Sequence, residues 1–129
     1  MSGTGTAGAA AEGGTDVWRY HFTYDGYTTG PATEPAAFHG LELVYIFANF
    51  DAVSFGGLSY TPNADDLTMT ATLQQAWTSF ASSGTPTSDP TWPAWDVDSD
   101  AYLGLDVPNT AGAGVRTQQC DFWDGLLGS

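Results

Sequence analysis

Apolar and polar residues alternate cleanly from Val17 to Tyr24 (VWRYHFTY). Trp18, Tyr20, Phe22 and Tyr24 share one face, and Val17, Arg19, His21 and Thr23 share the other. Period two with aromatic enrichment predicts a half-buried strand. Glycine and proline mark Asp25 to Pro35 (DGYTTGPATEP) as a loop. The run AAFHGLELVYIF, residues 36–47, is short and apolar. It fits a strand or a buried helical turn, which periodicity does not separate. A glycine-rich polar loop then reaches Pro62. The clearest helix is predicted from about Ala64 to Ser82. Asn63 or Asp65 is available to cap it, and Asp65 and Asp66 sit in its first turn, where the helix dipole favours negative charge. Met69, Leu73, Trp77 and Phe80 define its apolar face, and Gly84 followed by Pro86 ends it. An irregular stretch holds Trp92-Pro93-Ala94-Trp95. Ala101 to Val107 reads as a strand, Val115 to Gln119 as a second, and Cys120 to Leu127 (CDFWDGLL) as a short helix packing Phe122, Trp123 and Leu126. Residues 1–14, rich in Gly, Ala and Thr and without periodicity, read as a flexible leader. The order of strand, short element, long helix, two strands and helix is a mixed α/β pattern.

Composition narrows the function. An apolar share of 42% with 14% aromatic residues is enough for a packed core, so a net charge of −13 does not here signal disorder. Fifteen acids face only two bases, Arg19 and Arg116. Phosphate backbones are held by clustered Lys and Arg, which excludes nucleic-acid binding as an expected function. An anionic membrane surface repels such a chain. No apolar stretch approaches the roughly 18 residues of a membrane helix, and residues 1–14 lack the basic and apolar regions of a signal peptide. Acidity itself points to solubility or high-salt adaptation and names no partner. Cys120 is the only cysteine, so it is either a thiol whose partner lies elsewhere or a small buried hydrophobe.

Two histidines are candidates for acid–base chemistry near neutral pH. His21 lies inside the alternating strand and is expected to be structural or exposed. His39 follows a proline-marked loop and precedes Gly40, which lets the backbone turn sharply and present the imidazole at a loop tip. Asp96-Val97-Asp98-Ser99-Asp100 imitates the start of a calcium loop. Ala101 stands at the required glycine and Val107 at the bidentate glutamate, so calcium is not expected. One cysteine and two distant histidines offer no zinc spacing. No G-x-S-x-G elbow occurs; Gly57-Leu58-Ser59-Tyr60-Thr61 lacks its second glycine. Nor does a phosphate-cradling glycine loop follow a strand.

Five strings share one resemblance. Tyr20-His21-Phe22-Thr23-Tyr24 is similar to the aromatic strand preceding the catalytic histidine in type-B carboxylesterases and cholinesterases, and residues 37–47 (AFHGLELVYIF) resemble their histidine motif. Residues 77–86 (WTSFASSGTP) resemble their late helix and its stop, and Trp92-Pro93 and Cys120-Asp121-Phe122-Trp123-Asp124 match in kind and order. The resemblance covers about residues 14–127 and implies the C-terminal part of an α/β-hydrolase fold, incomplete as a stand-alone domain. Residues 15–129 are then the C-terminal portion of a type-B carboxylesterase domain. Because triad order in this fold is Ser, acid, His, such a portion holds only the histidine.

The resemblance implies that His39 is the general base and acid of an ester hydrolase without cofactor or metal. It gives Glu42 a supporting place in the site's hydrogen-bond network, beside Gly40; a dipole-favoured acid at a helix start is the plainer account of Glu42. It also implies that Cys120 pairs with a cysteine upstream of this chain, which favours a secreted or periplasmic parent without fixing the compartment. The substrate is a carboxylic ester in the complete enzyme. The isolated chain, lacking serine, acid and oxyanion hole, is expected to be inactive. Its sheet edge and apolar face, meant for the missing N-terminal part of the domain, favour self-association. The alternative is a non-catalytic binding or adhesion module derived from the same fold.

Overall fold

The computed structural model describes residues 10, 11, 13–26, 37–52 and 60–127. The leader expected over residues 1–14 and the elbow-like string at residues 57–61 lie largely outside them. The elements are β1 (Tyr20–Phe22), α1 (Leu41–Ile46), a 3-10 turn (Phe50–Ala52), α2 (Ala64–Ser83), β2 (Ala101–Leu105), β3 (Thr110–Ala113) and α3 (Thr117–Leu127). The mixed α/β order read from the sequence is the order observed. The strands form one sheet in the order β1-β2-β3.

Two compact units divide the chain: Met1–His21 with Pro90–Gly104 and Thr110–Ser129, and Phe22–Asp89 with Leu105–Asn109. In the first unit β2 and β3 pair antiparallel, with Ala101 opposite Ala113 and Gly104 opposite Thr110. Leu103 N–H donates to Arg19 C=O at 3.0 Å beside β1. The irregular Trp92–Trp95 stretch is tied to the same segment. Trp95 N–H donates to Val17 C=O at 2.7 Å, and the Trp92 indole donates to Arg19 C=O at 2.8 Å. Arg19 forms an ion pair with Asp100, which also accepts from the Trp95 indole at 2.8 Å. Both tryptophans are buried, and each buried indole N–H thus has its acceptor.

Two expectations fail in this unit. The last strand lies at Thr110–Ala113, not Val115–Gln119. Val115-Arg116-Thr117-Gln118-Gln119 instead forms the turn before α3 and its first residues. Arg116 takes a left-handed φ of 55° in the turn before α3, and Cys120 N–H donates to Arg116 C=O at 3.0 Å, the i to i−4 bond of a helix. Nor does α3 bury its large apolar side chains: Phe122, Trp123 and Leu126 are 61%, 58% and 62% exposed. Phe122 and Trp123 stack edge to face on each other, and no described residue supplies a layer over them. Cys120 is a half-buried free thiol.

In the second unit α2 is the main support. Asn63 caps it by accepting from Asp65 and Asp66 N–H at 2.8 and 2.9 Å, and Gly84 ends it at φ 78° with N–H donating to Phe80 C=O at 2.7 Å. That left-handed geometry is what makes glycine the fitting residue there. The buried face differs from the one expected. Met69, Leu73 and Ala76 are fully buried together with Asp66. Phe80 is 49% exposed and Trp77 only half-buried. The α1 helix packs on α2 and buries Leu41, Val44 and Tyr45, so the described part of the 36–47 run is a turn and a short helix rather than a strand. Among the described residues no helix is long and apolar enough to cross a membrane.

Candidate active site

His39 lies in the turn before α1 and is exposed. Gly40 caps the helix at φ 84°, in the left-handed region, with open space where a Cβ would stand. Glycine is therefore set by backbone conformation and not by crowding. Leu41 N–H donates to Phe38 C=O at 3.1 Å and Leu43 N–H to Gly40 C=O at 3.2 Å, closing the turn on both sides of the imidazole. Glu42 follows in the first turn of α1, half-buried. The three residues singled out from sequence thus share one turn and the helix start behind it. No hydrogen bond joins His39 to another described residue. The other histidine, His21, sits in β1, half-buried, edge-on to Tyr102 at 6.4 Å between ring centroids.

Behind α1 lies a polar cluster that the sequence analysis missed. Asp66 is fully buried, yet no cation among the described residues pairs with it. Its Oδ1 accepts from the Tyr24 hydroxyl at 3.0 Å and the Tyr45 hydroxyl at 3.2 Å. Its Oδ2 accepts from the Tyr60 hydroxyl at 2.6 Å and the Asn63 N–H at 2.7 Å. Four donors on two oxygens match the acceptor-only chemistry of a carboxylate, and they offset the desolvation that burying a polar group costs. The rings pack as well as bond: Tyr45 meets Tyr24 at 5.4 Å, Phe22 at 5.9 Å and Phe50 at 5.5 Å. From sequence Asp66 looked like a first-turn acid equal to Asp65. The available signal was Asn63 and Asp66 at capping-box spacing, which says nothing about the tyrosines.

Burial, with the nearby Asp66 charge and hydrogen bond, pushes the Tyr24 and Tyr45 hydroxyls above the ordinary tyrosine value of 10.0. Both therefore remain donors. The sign of the stability effect follows. Unfolded tyrosines lose their protons from about pH 10, while the folded pair holds them to higher pH. The folded state then binds more protons, and stability falls as pH rises beyond about 10. Urea midpoints measured against pH should be unaffected by this pair below about pH 9 and drop above 10. The phenolate absorbance lost on substituting Tyr24 and Tyr45 by Phe should appear together with unfolding; ionisation of these two in the folded chain would contradict the buried cluster.

The calcium-like aspartates are occupied separately. Asp96 accepts from Asp98 N–H at 3.0 Å, from Ser99 N–H at 2.9 Å and from the Ser99 hydroxyl. These bonds, the hydroxyl's first, hold its carboxyl below the usual range. Asp100 faces Arg19 instead. Among the described residues no group of three or more His, Cys, Asp or Glu side chains converges as metal ligands.

The carboxylesterase family profile matches residues 3–123. The chain belongs to the carboxylesterase family. A fumonisin B1 esterase of Sphingopyxis macrogoltabida is 34% identical over 83% of the chain and 20% of its own length. An acetylcholinesterase of Leptinotarsa decemlineata is 29% identical over 94% of the chain and 19% of its own length. Among solved structures, a PNB esterase superposes with a TM-score of 0.72 at 26% identity, covering 88% of this chain and 23% of that one. The carboxylesterase chain thus has part of the α/β-hydrolase fold, and it spans about a fifth of the length of the relatives it matches. Ester hydrolysis is the activity named for these carboxylesterase relatives.

Proposed function

We propose that His39 is the general base and acid of a serine carboxylesterase, and that residues 15–129 form the C-terminal portion of its catalytic domain. The observation that carries this is the exposed imidazole on the Gly40 turn, backed by a helix whose other face is fully buried. An exposed group on a rigid support meets substrate with little conformational loss. In the complete enzyme His39 would take the proton of a serine hydroxyl as it attacks the ester carbonyl and give it to the leaving alcohol. It would then activate water to release the acid from the acyl-serine. Serine, triad acid and oxyanion donors would come from sequence outside this chain. Glu42 would support the site's hydrogen-bond network, with Gly40 holding the turn.

The purified 129-residue chain is accordingly expected to give no turnover of a short-chain p-nitrophenyl ester above the uncatalysed rate, because without a nucleophile the histidine has no proton to take. Turnover that His39→Ala abolishes would reveal a nucleophile within these residues and overturn this division of the site.

A further inference from the structure

Asp66 lies on a different element from His39 and hydrogen-bonds to neither His39 nor Gly40, yet it collects hydroxyls from three separate segments. Tyr24 follows β1, Tyr45 is on α1, and Tyr60 precedes α2. Asn63 N–H completes the set, and it belongs to the cap of α2 itself. The same carboxylate therefore holds α1 and the start of α2 at once. Tyr45 is the only side chain of α1 that bonds to it, and it is fully buried. From Tyr45 back to Leu41 the helix rises about 6 Å, and the Leu43–Gly40 and Leu41–Phe38 bonds tie its start to the turn that carries His39. At the far end of α1 the Gln74 amide of α2 donates to Ile46 C=O at 3.2 Å. A six-residue helix has too few internal bonds to hold itself. Its orientation, and with it the direction of the His39 turn, must come from outside ties: the burial of Leu41, Val44 and Tyr45 together with these hydrogen bonds.

We propose that Asp66 is a positioning residue for His39, acting through the Tyr45 hydroxyl and α1. The reason the position matters rests on the esterase reading, but the geometry can be tested apart from hydrolysis. The chain provides its own control. His21 lies in the other compact unit, in β1 against Tyr102, and reports on the fold at large.

The test is the pair of imidazole Cε1–Hε1 resonances in the NMR spectrum of the full chain, with amide exchange of residues 41–47 beside it. Asp66→Asn keeps the size of the side chain and removes two-sided acceptance. Tyr45→Phe keeps the ring and removes one hydroxyl, so it decides the matter if Asp66→Asn does not fold. Both substitutions are expected to shift or broaden the His39 resonance while His21 stays in place. Both should speed exchange of the α1 amides about 10- to 100-fold, the size of effect of a lost charge-assisted bond on local opening. An unmoved His39 resonance overturns the proposal. So does equal movement of His21, which would make Asp66 a general support of the fold. Neither outcome depends on whether the complete protein hydrolyses esters, so failure here and failure of the esterase reading are separately visible.

Discussion

Under the proposed role, His39→Ala in the complete protein is expected to lower kcat for an ester by about 10⁴- to 10⁶-fold, the range seen when the base of a nucleophilic triad is removed. In that role the imidazole would act on a proton that moves only as the bond to carbon forms. Its loss therefore falls on the transition state, and KM should change little. His21→Ala is the matched control: it removes the same side chain from a strand where it packs edge-on to Tyr102. It should leave kcat within a few-fold, roughly the scale of a distant substitution. A loss below about 100-fold for His39→Ala, or an equal loss for His21→Ala, would remove His39 from its proposed role. Steady-state kinetics on one ester settles both.

The second large effect is on stability. Asp65→Ala and Asp66→Ala delete neighbouring carboxylates from the same helical turn, and the dipole argument alone gives each about 0.3–1 kcal/mol. Asp65 is exposed, so that figure should hold for it. Asp66 is fully buried and accepts from three tyrosines and the cap of its own helix. Its removal leaves the buried Tyr24 and Tyr45 hydroxyls without their acceptor. Each unsatisfied group costs about 1–3 kcal/mol, and half of the capping box is lost as well. The expected destabilisation is about 3–5 kcal/mol, among the largest that single substitutions produce. Urea unfolding of the two variants side by side measures it, as a lowered midpoint or a lost cooperative transition. Equal midpoints for the two would show that the cluster contributes nothing beyond the dipole.

Much of this protein was legible from its residues because the signals are local. Asn63, the acids after it and Gly84 bound the long helix, since caps and left-handed stops depend on backbone groups within one turn. Gly40 beside His39 marked the turn for the same reason, and its φ of 84° is the conformation that glycine favours. The family resemblance was carried by strings whose order survives in one dimension. Tertiary packing decided the rest. Which face of α2 is buried depended on what packs against it: with α1 docked on this helix, Asp66, Met69, Leu73 and Ala76 are buried and Phe80 is open. The exposure of Phe122, Trp123 and Leu126 depended on a layer that no described residue supplies. Asp65 and Asp66 are identical in sequence terms. Only the convergence of Tyr24, Tyr45 and Tyr60, 42, 21 and 6 residues away, makes one a solvated helix acid and the other the anchor of the His39 helix. Propensity and capping are written in neighbouring residues, whereas burial of a charge is settled by donors that only the folded chain brings together.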